Sequence, residues 1–225
     1  MNENLKRQFI STAMSVYRTF VFPFVKWRYV LTNHIHVQTG GYFDRSTKLS
    51  TYNYIGRDSF LEGCVMGTNS AVGDNVHLIK TKMGNHCSVG RGTVTAIGEH
   101  RFKDGFATSS TFFSDDPISG LKIHKADYQE LKLSDPEGGY CITMENDVWV
   151  GTASILFSGI TLANGTVIGA GSIVTKSTEP YGIYIGAPAK LVGYRFDKEK
   201  INELLESKWW DMDFDELKEF AKRYD

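Results

Sequence analysis

Residues 144–180 read MENDVW VGTASI LFSGIT LANGTV IGAGSI VTKSTE P, six ungapped hexads closed by Pro180. The first position is apolar throughout: Met144, Val150, Leu156, Leu162, Ile168 and Val174. The fifth is small or β-branched: Val148, Ser154, Ile160, Thr166, Ser172 and Thr178. The second and fourth positions are often Gly or another small residue. A six-residue period fits neither a plain helix nor a simple hairpin. The fifth position of one hexad and the first of the next are two residues apart, so on a strand they face the same side. Gly, Asn and Asp between them tolerate the corner conformations that turn the chain. Each hexad is then one short strand and one corner, and stacked coils bury the apolar positions in a central column, which is a β-helix. An ordinary buried-strand sandwich has no reason to keep six ungapped repeats.

Working backwards, the repeat becomes less regular. It is legible from Tyr54, with Ile55-Gly56 and Leu61-Glu62 in phase, then Val72-Gly73, Met83-Gly84 and Val89-Gly90 after small slips. Slips of one residue read as bulges or corner variations in a continuous stack. Ile97-Gly98 resumes the pattern, Glu99-His100 follows, and residues 101–141 break it completely. A long excursion from a compact scaffold is usually functional. Working forwards, YGIYIGAPAKLVGYRF after Pro180 reads as a final irregular coil. Asp197 is placed to cap an amphipathic helix with Ile201, Leu204 and Leu205 on one face. Trp209-Trp210 follow, and Asp213 or Asp215 can cap a last short helix through Phe220. These aromatics are expected to anchor the helices to the solenoid. The organisation expected is an N-terminal extension or cap over 1–50, partly helical, a β-helix over 51–196 with its excursion at 101–141, and C-terminal helices over 197–225.

The chain has 225 residues and a formal net charge of −1, so no global field draws it to nucleic acid. Cys64, Cys87 and Cys141 form no disulfide framework and no CxxC pair, which suggests a cytoplasmic setting. Cys87 sits at a fifth hexad position and reads as a small inward-facing residue. The segment Phe9–Leu31 is rich in aromatic and apolar residues, with Arg18, Lys26 and Arg28 interspersed. Its longest charge-free run, Thr19 to Val25, contains Pro23 and is far short of the ~20 residues of a spanning helix. It also lacks the build of a signal peptide. Two readings remain: a cap over the end or side of the solenoid, or a segment lying on an anionic membrane. The cap is favoured, because exposed coil ends need covering.

Four motifs carry a resemblance: IGEHRFKDGFATSSTFF, Asn146-Asp147-Val148-Trp149-Val150-Gly151, Gly186-Ala187-Pro188-Ala189-Lys190, and a helix ending Lys208-Trp209-Trp210-Asp211. With them, residues 50–225 resemble the hexapeptide-repeat acyltransferases of left-handed parallel β-helix fold, and within them the xenobiotic and polysaccharide O-acetyltransferases. Phe113 stands where that family often has Pro, and the N-terminal extension falls outside the likeness. The resemblance implies a left-handed solenoid, a homotrimer with sites between subunits, and transfer of an acetyl group from acetyl-CoA to a hydroxyl, with no metal required. It implies that His100 is the catalytic base and that CoA meets Thr152, Ala170, Thr175, Lys176 and Lys190.

The chemistry fits those residue types. A sugar or alcohol hydroxyl is a poor nucleophile at neutral pH, so a positioned base must take its proton as it attacks the thioester. Histidine suits that task, with an unperturbed pKa of about 6.5. A backbone N–H can stabilise the oxyanion, and direct attack needs no covalent enzyme intermediate. Of the six histidines, His100 alone closes the last regular hexad and opens the excursion. Ala170 is small where a pantetheine arm would run along a coil edge, and Lys176 and Lys190 can meet phosphates as point charges. Phe112 and His124 inside the excursion, and Trp149 beside it in the repeat, are weaker candidates for a site wall; Trp149 serves equally well as a subunit contact.

Other functions are open to the same fold. A metal-dependent lyase needs three histidines converging on zinc, and no close histidine pair accompanies His100. A non-catalytic scaffold has no need of His100, Lys176 and Lys190 together. N-acetylation of an aminosugar would use the same base. For the acceptor, a hydroxyl-bearing glycan such as a capsule or lipopolysaccharide sugar is preferred to an antibiotic, because the N-terminal extension departs from the drug-modifying pattern. Peripheral membrane contact through that extension is not favoured.

Overall fold

The computed structural model describes residues 9, 12, 13, 15–98 and 131–223. The chain falls into two units, residues 1–32 with 97–132 and residues 33–96 with 133–225. The described N-terminal part of the first unit is helical, a π-helical turn at Tyr17–Val21 running into an α-helix at Phe22–Asn33 that extends just past the unit's boundary. The second unit holds a parallel β-helix of three sheets and two helices at its C-terminal end.

One strand from each sheet makes a coil. The first sheet climbs from His36–Val37 through Tyr54–Ile55, Ala71–Val72, Ser88–Val89, Trp149–Val150 and Val167–Ile168 to Gly182–Gly186. It ends on the antiparallel strand Ala189–Tyr194. The second runs from Tyr42–Phe43 to Ile173–Val174, and the third from Lys48–Leu49 to Ile160–Leu162. The hexad reading holds at side-chain level. Every first position from Met144 to Val174 and every fifth position from Val148 to Ser172 is buried.

The stack begins one coil earlier than Tyr54, at His36, so residues 36–50 belong with the solenoid and not with the extension. Val37, Phe43 and Leu49 fill the inward positions of this coil. The slips are corner shortenings and not bulges. The steps from Tyr54 to Ala71 and on to Ser88 are one residue shorter than the step from Trp149 to Val167. The missing residue lies at the corner between the second and third sheets, where Gly63 and Lys80 take positive φ of 59° and 43°.

The three corners differ in chemistry. At the first, between the first and second sheets, glycines stack coil on coil. A methyl group on Gly90 would stand 2.5 Å from Thr152 N, and one on Gly151 would stand 2.5 Å from Ala170 N. No side chain larger than hydrogen fits there without moving backbone. The third corner, between the third and first sheets, is closed by side-chain amides. Asn85 Oδ1 accepts from Thr68 N at 2.8 Å, Asn146 Oδ1 from Asn85 N at 2.8 Å, and Asn164 Oδ1 from Asn146 N at 2.9 Å. Each bond satisfies a backbone donor that the turn would otherwise leave unpaired.

The excursion leaves from the second corner. The second-sheet strand Val94–Ala96 stays in register with Ile155–Phe157, and the chain regains the third sheet at Ile142–Met144. That strand sits between Thr81–Met83 and Ile160–Leu162, the row it would occupy with no excursion at all. The returning end is tied to the third sheet by an ion pair between Lys82 and Asp135 at 3.2 Å and by Ser134 Oγ, 2.8 Å from Thr143 Oγ1.

The C-terminal helices lie against the third corner. Asp197 caps Lys198–Ser207 by accepting from Lys200 N at 2.8 Å. Asp213 and Glu216 form a reciprocal capping box on Phe214–Ala221. Leu204, Phe220 and Tyr181 form a buried cluster with Ile201, Leu205, Trp209 and Met212 packed around it. Asn85 Nδ2 donates to Trp210 O at 3.0 Å, and Arg195 pairs with Asp147 at 2.7 Å. The expected anchoring role of the Trp209-Trp210 pair is what the packing shows.

Candidate functional site

Thr152 and Ala170 occupy equivalent places in successive coils at the first corner. Gly171 N donates to Thr152 O at 2.8 Å, and both side chains face solvent. The hairpin bearing Lys190 sits over the same corner. Ser172 Oγ accepts from Gly186 N at 3.1 Å, and Ile185, the strand partner of Lys190, lies over Gly169. The glycines beneath pack directly on the backbone of the next coil, so what this edge presents to solvent is the small side chains of Thr152 and Ala170, which would leave room for a long, thin chain such as a pantetheine arm.

Thr175 and Lys176 are not at this edge. They follow the strand Ile173–Val174 and are exposed at the second corner, where Ser177 Oγ accepts from Thr161 N at 3.0 Å. At roughly 3.3 Å per residue, the span from Ala170 to Thr175 is on the order of 15 Å. The second corner is also where the excursion departs, two coils below. The expected CoA residues are therefore divided between the two edges of the second sheet. His100, Phe112 and His124 lie outside the described residues. Trp149 is 55% exposed on the outer face of the first sheet, in register between Ser88 and Val167.

One feature escaped the sequence reading. A cavity of about 850 Å³ lies between the third corner and the last helix, with Tyr52, His86, Trp210 and Phe214 among its walls. His86 packs on Trp209 with ring centroids 5.2 Å apart, and its Nδ1 lies 3.1 Å from Asn69 Nδ2. Burial holds the His86 pKa below the ordinary histidine value, against the opposing pull of Asp147, the Trp210 carbonyl and Asp211. None of the expected site residues among the described residues lines this cavity. Cys64 and Cys87 are buried, with thiols pushed up to about 12 by desolvation, so Cys87 is the inward-facing packing residue its hexad position implied. Among the described residues no group of three or more His, Cys, Asp or Glu side chains is arranged to hold a metal ion.

The chain has named relatives. It is 35% identical over 137 residues to a chloramphenicol acetyltransferase of Agrobacterium fabrum, covering 60% of this chain and 62% of that protein. It is 44% identical over 72 residues to a probable macrolide acetyltransferase of Lysinibacillus sphaericus, covering 32% and 40%. It is 32% identical over 83 residues to the galactoside O-acetyltransferase of Escherichia coli, covering 37% and 39%. The similarity thus spans less than two thirds of the length of each of these proteins. Among solved structures, AntD, an N-acyltransferase from Bacillus cereus in complex with dTDP and Coenzyme A, aligns with a TM-score of 0.53 at 19% identity, over 81% of this chain and 96% of that one. That likeness is one of fold. No family model matches the chain. In sequence the chain is similar to acetyltransferases, and in fold it is a hexapeptide-repeat β-helix.

Proposed function

We propose that the protein is an acetyl-CoA-dependent O-acetyltransferase acting on a hydroxyl of a sugar, glycan or related small molecule. The observation that carries the reading is the division of the expected site between two edges of one sheet. Thr152, Ala170 and the hairpin of Lys190 offer acetyl-CoA an exposed edge of small side chains at the first corner. His100 follows Ala96 by four residues, so the chain cannot carry it more than about 14 Å from the second corner. Reaction requires the attacking oxygen about 3–3.5 Å from the thioester carbon. Two edges some 15 Å apart on one chain serve that geometry best when they come from different chains. A head-to-tail ring joins unlike edges of successive subunits, whereas a two-fold dimer joins like surfaces. A head-to-tail ring fits the divided site, and the family resemblance implies that the ring is a homotrimer; in the proposal the second corner of one subunit, with His100, Thr175 and Lys176, faces the first corner of the next.

In that arrangement His100 takes the proton from the acceptor hydroxyl as it attacks the acetyl carbon. The tetrahedral oxyanion is held by main-chain N–H groups of the coil edge, and CoA leaves as the thiol once it has regained a proton. Lys176 and Lys190 meet the cofactor's phosphates. A second reading, a xenobiotic acceptor, is favoured by the chloramphenicol and macrolide acetyltransferases among the relatives. Assays with chloramphenicol and with glycan acceptors, following release of free CoA thiol, separate the two. The catalytic assignment is tested by His100→Ala. Turnover is expected to fall about 10²–10⁴-fold while CoA affinity is kept. Near-wild-type turnover in the variant with a verified acceptor overturns it.

A further inference from the structure

The helical segment before the solenoid carries an apolar stripe that the catalytic reading leaves unused. Phe20, Phe24, Trp27 and Leu31 follow the i, i+4, i+7, i+11 spacing of a single helix face, and they are 67%, 77%, 64% and 68% exposed. The opposite face is the packed one, with Phe22 buried and Val25, Lys26 and Tyr29 half-buried. A cap has use for the Phe22 face. It leaves two phenylalanines, a tryptophan and a leucine in water, and an apolar row of that size on a soluble surface marks an interaction site.

The charge around the stripe selects its occupant. No acidic residue occurs between Glu3 and Asp44, a span that holds Lys6, Arg7, Arg18, Lys26 and Arg28. Arg28 is exposed beside the stripe. Two copies of this segment laid together would bring like charges into contact with no carboxylate of their own to answer them, which disfavours self-pairing. An anionic lipid surface answers both features. It takes the aromatic and aliphatic side chains into the headgroup boundary and attracts the basic ones. The stripe is about 17 Å long at 1.5 Å per residue, too short for a bilayer core of about 30 Å. No helix among the described residues is long and apolar enough to cross a membrane. The segment would lie in the surface plane, with Trp27 at the depth that tryptophan prefers.

We infer that residues 16–31 form an in-plane docking element for anionic phospholipid membranes. The inference does not depend on the catalytic reading, and its test reads binding alone. The full chain is sedimented with vesicles of phosphatidylcholine, and with phosphatidylcholine–phosphatidylglycerol mixtures, at low and high salt. Binding is expected only with the anionic vesicles, and weaker in salt. Arg28→Gln is expected to weaken it about fivefold, the equivalent of about 1 kcal/mol per basic residue, whereas Lys26→Gln, on the packed face, is expected to change it much less. The double variant Phe24→Glu, Trp27→Glu is expected to abolish it while particle mass by light scattering and acetyl-CoA affinity match the parent. Equal binding to neutral vesicles, no binding by the parent, or unchanged binding by the double variant overturns the inference. A changed particle mass in the double variant also overturns it, and assigns the stripe to contact between copies.

Discussion

In the coils from Met144 on, the first and third corners are closed by different means, although lower in the stack Gly67 packs on Gly84 at the third corner and Asp74 Oδ1 accepts from Arg57 N at 2.9 Å at the first. The third is a ladder of Asn85, Asn146 and Asn164, roofed by the C-terminal helices and tied to them through Asn85 and Arg195. The first is a stack of bare glycines with Thr152 and Ala170 left in solvent. A repeat must satisfy its backbone at every corner, and side chains or close backbone packing do this equally well. The C-terminal helices cover the third corner, whereas the first keeps Thr152 and Ala170 exposed as an edge that a ligand can approach. The difference between the corners is a difference between holding the coil and serving it.

The sharpest way to break the comparison is to put a side chain into the glycine stack. Gly151→Val forces carbon against the backbone of Ala170. Chemical denaturation should show a loss of about 3 kcal/mol, because neither side can yield. Next in size is the ladder. Asn146→Ala removes the acceptor for Asn85 N and the donor to Asn164, and should cost about 2 kcal/mol by the same measurement. Lys190→Ala on the ligand edge is exposed and should change stability by less than about 0.5 kcal/mol while raising the KM for acetyl-CoA. A ligand-edge residue that matters to stability as much as Asn146 would erase the distinction.

The smallest effect expected is a pH dependence confined to the third corner. The folded-state pKa of His86 is depressed by burial, so the unfolded chain takes up this proton first as pH falls. The stabilising contribution is present above the unfolded value of about 6.5 and is lost as pH falls through that value towards the folded one. His86→Gln should flatten the loss of stability between about pH 7 and pH 5. A profile unchanged by the substitution would show that the ring titrates as freely folded as unfolded.

Much of this was legible in the sequence, and what was not has particular causes. The block from Met144 could be read because six hexads keep one phase and inward and outward residues differ in kind. The first coil hid behind polar corners, yet Val37, Phe43, Leu49, Ile55 and Leu61 are six apart and all buried, so the signal was present. The shortened corners at Gly63 and Lys80 shifted that phase by one and disguised its continuity. Burial patterns carry no information on which edge a corner residue occupies. Lys176 and Ala170 are near neighbours in sequence and stand at opposite ends of a strand, which only the coil geometry separates. The cavity beside His86 was not legible at all, since its two walls come from residues far apart in the chain.

The claim that the two edges of the second sheet meet across a subunit boundary can be tested by mixing. His100→Ala lacks the base and Ala170→Trp blocks the cofactor edge, so each variant alone should be inactive. If the site is shared, randomly mixed trimers regain a base from one parent opposite an intact edge from the other at one contact in four. Activity with an acceptor that the wild type acetylates should then return to about a quarter of the wild-type value. If each chain carries its own complete site, the mixture stays as inactive as its parents.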